Sequence, residues 1–206
     1  AIGCNIFFMR VIPNISNYTV IKYQQDFPGN GDPYANTESV NRRGYYGINS
    51  IPRMEIDGQW DGNAASLTIP IFNTYQQEPA FMEIGIQSAT VLGTNVTVAA
   101  TIKPLITYAG NNFKYHVVVV ENTTYNNAST NGETQFENVM MNMHPTEVGT
   151  TITSLVQNNV INVTPTIPMA NTNVEQYTDL TVVVFVQDNV TKKILQSEWL
   201  PITNIS

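Results

Sequence analysis

Between residues 80 and 103 the chain alternates apolar and polar residues with a period of two. That pattern restricts the fold more than any other feature of the sequence. Met82, Ile84 and Ile86 alternate with Glu83, Gly85 and Gln87, and Val96, Val98, Ala100 and Ile102 alternate with Thr97, Ala99, Thr101 and Lys103. Successive side chains of a strand point to opposite faces, so each run reads as a strand with one buried and one wet face. Gly93-Thr94 sits between them as a hairpin turn. Phe113 to Glu121 carries the unbroken run Val117-Val-Val-Val120. Tyr115, Val117 and Val119 would then share one face, and His116, Val118 and Val120 the other. Both faces are apolar, so this strand is expected to be central and covered on both sides. Further strands are expected at Thr134 to Met143, Thr150 to Val156 and Asn159 to Val163. A closing hairpin, Leu180 to Gln187 and Lys192 to Leu200, turns at Asp188-Asn189. Short strands at such regular spacing argue an antiparallel sandwich.

The first eighty residues have a different texture. Asn5 to about Ile12 reads as a helix ended by Pro13. Tyr18 to Gln24 is β-branched and aromatic, and reads as a strand. Phe27-Pro-Gly-Asn-Gly-Asp-Pro33 is dense in turn formers. Tyr34 to Tyr46 predicts a helix with Gly47 at its C-terminal cap. A short strand, Arg53 to Ile56, then turns at Asp57-Gly58. Ser66 to Gln77 predicts a further helix capped by Ser66, with Pro70 in its first turn. This order is an α/β pattern. The boundary between the two textures lies near Gln77 to Ala80, giving segments 1–79 and 80–206.

Composition excludes several classes of function. Charged residues are only 12% of the chain and the net charge is -7. Arg42-Arg43 and Lys192-Lys193 are the basic pairs. A nucleic-acid partner needs a basic face, and an anionic membrane surface repels an acidic protein. The longest apolar stretch is far too short to span a bilayer, so no direct membrane span is expected. Cys4 is the only cysteine, so an internal disulfide is impossible. Asn14, Asn17, Asn95, Asn122, Asn127, Asn162, Asn189 and Asn204 head glycosylation-type triplets, which an Asn- and Thr-rich sequence also generates by chance.

Three groups of residues carry a resemblance. The first is Val20-Ile-Lys-Tyr-Gln24 with Pro28-Gly-Asn-Gly-Asp-Pro-Tyr34, Arg42-Arg-Gly-Tyr-Tyr-Gly47, Ile51-Pro52 and Asp57-Gly58. The second is Tyr115-His-Val-Val-Val-Val-Glu121 with Asn131-Gly-Glu-Thr134 and Phe136-Glu-Asn-Val-Met-Met-Asn-Met-His-Pro145. The third is Val184-Phe-Val-Gln-Asp188. In this order the set resembles the Omp28-related outer membrane proteins. The resemblance implies an α+β protein: a truncated thioredoxin-like α/β segment, missing its first strand, followed by an antiparallel immunoglobulin-like β-sandwich. It also implies a home at the bacterial outer membrane surface or outside the cell. It implies no particular chemistry, since fold does not carry function by itself.

The candidate chemical groups are few. On the thioredoxin-like alignment Cys4 stands at the second cysteine of a Cys-x-x-Cys motif and Ala1 at the first. A lone resolving cysteine cannot run a dithiol cycle, so Cys4 is read as a vestigial redox position. Ile51-Pro52 stands where thioredoxin folds place a cis-proline, and a cis bond is expected there. The Ile51 backbone could pair with a bound peptide strand, making Ile51 and Pro52 a candidate peptide-binding turn, or Pro52 could merely shape the backbone. His116 and His144 lack the further ligands that zinc needs. Glu121, Glu133 and Glu137 have no fixed separation that would suit glycoside hydrolysis. Asp26, Asn30 and Asp32 could hold calcium, but Asn30-Gly-Asp-Pro33 is good turn chemistry and the turn is the favoured reading, so no metal is expected. No cofactor and no enzymatic activity are expected. The sequence points to a non-catalytic surface or secreted module for binding, adhesion or assembly. Its partner would be a protein, or a second copy joined through a sandwich edge. An accessory thiol-disulfide protein of the envelope is the alternative.

Overall fold

The computed structural model describes residues 18–126 and 134–205. The expected helix Asn5 to Ile12, Cys4 and Glu133 lie outside the described residues. What is described is mostly β, with two sheets, antiparallel except where Thr203 and Asn204 pair with Thr90 and Val91, stacked face to face and a third layer of helices and loops on one of them.

The first helix, α1 (Thr37–Tyr46), begins and ends as its sequence dictates. The Asn36 side chain accepts from the Ser39 N–H, the Ser39 hydroxyl accepts from the Asn36 N–H, and Gly47 closes the helix at φ 75°. Ile51–Pro52 is cis, as are Phe27–Pro28 and His144–Pro145. Strands β1 (Met54–Ile56) and β2 (Trp60–Gly62) form a hairpin whose turn residues Asp57 and Gly58 both have positive φ, at 51° and 67°. Gly58 is obligatory there: an added Cβ would lie 1.9 Å from the Lys192 carbonyl oxygen.

The helix expected over Ser66 to Gln77 is shorter and capped elsewhere. Ala64–Ser66 is a 3₁₀ turn, and α2 (Ile69–Gln76) is capped by Thr68, whose hydroxyl accepts from Ile71 N–H. Proline explains the shift. Capped by Ser66, the helix would place Pro70 where an N–H must bond the cap carbonyl. Capped by Thr68, Pro70 sits in the first turn, where none is needed.

The first sheet follows the order β11 (Ile194–Pro201), β10 (Leu180–Asp188), β5 (Phe113–Thr124), β6 (Phe136–His144), with β7 (Thr150–Ile152) also on β5. β6 takes Val117 to Thr124 of the shared β5 edge, and β7 takes Phe113 to Tyr115. The second sheet follows β12 (Thr203–Asn204), β3 (Met82–Leu92), β4 (Asn95–Pro104), β8 (Ile161–Val163), with β9 (Thr166–Pro168) also on β4. The strands expected over Thr150 to Val156 and Asn159 to Val163 are thus only three residues each.

Val117 and Val119 belong to the core between the sheets, with Tyr115 packed against it. Val118 and Val120 belong to a second cluster on the outer face, with Met140, Met143, Val183 and Phe185. All four valines of the run are at most 1% exposed, so the strand is central and covered twice, as its lack of period two implied. The outer cover comes from the first layer: Ile21 and Tyr23 pack on the second cluster. Tyr18 to Gln24, expected as a strand, runs extended but makes a single parallel bridge, Lys22 with Val139. There Lys22 N–H donates to Asn138 O at 2.8 Å, and Met140 N–H donates to Lys22 O at 2.9 Å.

Candidate functional site

Where the first layer meets the outer face of the β11–β10–β5–β6 sheet it leaves a groove of about 1130 Å³. Both layers build it: the extended run from Tyr18 with the turn after it, the end of α1, the stretch Ile51 to Gly58 and helix α2 with the residues after it on one side, and Phe136 of β6, Val183 and Phe185 of β10 and Lys193 to Ser197 on the other. Ile51 and Pro52, the candidate peptide-binding turn, lie in its wall. Asp32 reaches it too, but Asn30 does not line it.

Helix α2 is built for such a position. Its sequence, Ile-Pro-Ile-Phe-Asn-Thr-Tyr-Gln, is largely apolar, yet none of its residues is buried. Phe72 and Tyr75 line the groove, and Phe72 meets Tyr18 edge-on at 6.4 Å.

The floor of the groove is polar at one point. Arg42 of α1 is 3% exposed. Its Nη2 donates to the Tyr46 hydroxyl at 2.8 Å and to Gln187 Oε1 at 3.1 Å. Its guanidinium lies 4.6 Å from the centre of the Tyr45 ring and 4.9 Å from that of Tyr46. Gln187, wholly buried, closes the network by donating to the Tyr46 hydroxyl and the Lys192 carbonyl. Burial pushes the Tyr23 hydroxyl up to about 12 despite its bond to Arg42. Beneath this, His116 stacks on Phe185 with ring centres 4.5 Å apart. Burial first, then the charges of Arg42 and Lys114, push His116 down to about 3, so it is neutral at ordinary pH.

At the rim, Glu55 is pushed up to about 7, by burial first and then by its hydrogen bond to Asp61. Arg53 pairs with Asp61, and this bond holds Asp61 below the usual carboxylate range.

The remaining candidates lie apart. Asp26 accepts from Arg43 of α1 at 2.6 Å, and Asp32 Oδ1 accepts from the Tyr34 N–H at 2.9 Å, so the first carboxylate ties the turn to the helix and the second acts inside the turn. No group of three or more acidic, imidazole or thiol side chains able to hold a metal occurs among the described residues. His116 is buried at 2% exposure. His144 pairs opposite Val117, on the neighbouring strand. Glu121 is wholly buried and accepts from the Glu175 and Gln176 N–H groups, whereas Glu137 lies opposite Thr123 on the exposed side. Glu175 in turn accepts from the Tyr125 and Asn126 N–H groups and from the Tyr34 hydroxyl, which ties the first layer to the far end of the sandwich.

The sequence reading missed Arg42, Tyr46 and Gln187. Two local signals pointed to them. Arg42, Tyr45 and Tyr46 stand three and four apart on one helix face. Gln187 ends the run Val182-Val-Val-Phe-Val186, at a position where the strand is still fully covered.

No family model matches the sequence, and no curated protein matches it. Solved structures do. The protein superposes on HBP35 of Porphyromonas gingivalis with a TM-score of 0.61 and 14% identity, over 79% of this sequence and 56% of that one. It matches a domain of the outer membrane lipoprotein Omp28 of the same organism with a TM-score of 0.42 and 16% identity, over 62% of this sequence and 92% of that one. The protein therefore spans little more than half the length of the HBP35 structure, and what the two share at 14% identity is a fold.

Proposed function

We propose that the protein is a non-catalytic component of the bacterial outer membrane surface or the extracellular space, and that its groove takes up a segment of another polypeptide. The single observation that carries this is the groove itself. It is a cleft of about 1130 Å³ with an apolar helix in its wall that buries none of its own residues. A long cleft walled by Ile51, Pro52, Phe72 and Tyr75 suits an extended peptide better than a compact polar metabolite. The outer-membrane or extracellular location rests on the sequence resemblance, as does the thioredoxin-like reading of residues 1–79. The division near residue 79 belongs to the same proposal, with helices and a short hairpin before it and the long strands after it. Binding, adhesion and assembly are the roles open to such a module.

The test is titration of the protein with a pool of random octapeptides, read by calorimetry. Phe72→Ala should weaken binding about tenfold while leaving the thermal unfolding midpoint nearly unchanged, because Phe72 is only half-buried in the free protein. Absence of binding, or equal binding by the variant, rejects the groove as the site. Insulin disulfide reduction no faster than that of a Cys4→Ser variant is expected of a non-catalytic protein. A rate that depends on Cys4 rejects that part.

A further inference from the structure

Arg42 is a buried cation with no counter-ion among the described residues. Three other cationic side chains at the groove rim are each matched. Arg43 pairs with Asp26, Arg53 with Asp61 and Lys193 with Glu78. Arg42 forms no ion pair among the described residues, and its neighbours Tyr23, Tyr45, Tyr46, Gln187 and Phe185 are all neutral. His116, the titratable group beside it, cannot carry an anion and is held neutral. The Arg42 Nε–H is buried and finds no acceptor. Aromatic faces and the acceptors on Tyr46, Gln187 and Tyr23 recover part of the cost of desolvating a guanidinium, but an uncompensated charge in such a place remains unfavourable. Planar guanidinium is also the group best matched to a carboxylate, through two parallel N–H···O bonds.

Resting on the reading of the groove as a polypeptide site, we propose that Arg42 is its anchor: the bound segment places a carboxylate against this guanidinium. The apolar wall around Ile51 and Phe72 then takes the neighbouring side chains. The carboxylate is either the terminal one of a polypeptide or that of an Asp or Glu side chain, and the chemistry at Arg42 is the same for both. Specificity follows from the burial. A ligand lacking the carboxylate leaves the cation as it is in the free protein, whereas a ligand that brings one gains charge-assisted bonds away from water.

Three pools of acetylated octapeptides built from Val, Ile, Phe, Ser, Thr and Asn separate the outcomes. One pool ends in a free carboxylate, one ends in an amide but carries a single Glu, and one ends in an amide and carries no acid. The first or the second should bind at least roughly tenfold more tightly than the third, and whichever does identifies the source of the carboxylate. Arg42→Lys, which keeps the charge but not the fork, should remove most of that difference. Arg42→Gln should remove all of it, with circular dichroism confirming the fold of each. Equal binding by all three wild-type titrations overturns the anchor while leaving the groove reading intact. No binding by any pool overturns both.

Discussion

The valine run tests the three-layer arrangement directly. Val117 and Val118 are neighbours on β5, both 0% exposed, but Val117 faces the second sheet and Val118 faces the layer of residues 18–79. Truncation to Ala removes two methyl groups from each. At about 0.8 kcal/mol per carbon, with a further cost for the cavity, each variant should lose about 2–3 kcal/mol. The lower strand propensity of Ala contributes equally to both and cancels in the comparison. In urea, with a slope of about 2 kcal/mol per molar, each midpoint should fall by roughly 1–1.5 M. A simple two-sheet sandwich gives another result, since a substitution on its wet face stays within about 0.5 kcal/mol of wild type. Val118→Asp sharpens the test, because it puts an unpaired carboxylate against Met140, Met143 and Phe185 and should cost several kcal/mol. If Val117→Ala is destabilised and Val118→Ala is not, the outer layer does not cover this sheet, and the groove it forms with the sheet disappears with it.

Two further outcomes follow from the same packing. Gly58→Ala should be less stable than Gly47→Ala by about 1–3 kcal/mol, because both have positive φ but only the Cβ at Gly58 runs into backbone, the Lys192 carbonyl; equal values in urea unfolding would mean that the β1–β2 turn does not rest on the β10–β11 turn. His116, held near 3 against an ordinary 6.5, should keep the neutral imidazole signal in NMR spectra at pH 5. A folded value below the unfolded one means that its contribution is fully present above pH 6.5 and is lost as pH falls through 6.5 towards 3, with about 2 kcal/mol of that loss between pH 7 and 5. A titration midpoint near 6 in the folded protein refutes the buried, cation-flanked setting.

What was legible in the sequence was what short-range pattern encodes. Period two from Met82 to Ile102 marked β3 and β4, and its absence from Val117 to Val120 marked a strand covered on both sides. Asn36, Ser39 and Gly47 bounded α1 by chemistry within a few residues. Pairing between distant segments was not legible. Nothing local tells Lys22 to join Val139, more than a hundred residues away, and β9 and β12 are too short to show a period. The site divided in the same way. The cis bond at Ile51-Pro52 was legible, because proline restricts its own backbone and X-Pro is the common cis bond. Arg42 was not, because counting charges treats every arginine as solvated, and only the fold reveals that Arg42 is buried beside neutral partners while Arg43, one residue on, reaches Asp26.

The sheet edges bear on assembly, and they are not equivalent. On β11, the N–H of Ser197 is taken by the Gln196 side chain and that of Trp199 by the Glu198 side chain, while Pro201 has no N–H to offer. Gln196 also donates to the Met82 carbonyl of β3, so one side chain blunts two edges at once. β3 is further interrupted by the register shift at Ile86 and Ser88, and β6 already holds Lys22. β7 and β8 lack these devices: Thr150–Ile152 and Ile161–Val163 contain no charged residue and no proline. If a second copy adds a strand, this flank is where it meets least resistance. The probe must be chosen from the structure, because Ile152 is 5% exposed and belongs to the core, so a lysine there would damage the fold rather than the edge. Asn162 is exposed in the middle of β8. The wild-type protein should therefore sediment partly as a dimer at tens of micromolar, and Asn162→Lys should restore the monomer without lowering the unfolding midpoint. A wild-type protein that sediments only as a monomer, or a dimer that Asn162→Lys leaves intact, removes the β8 edge as the contact.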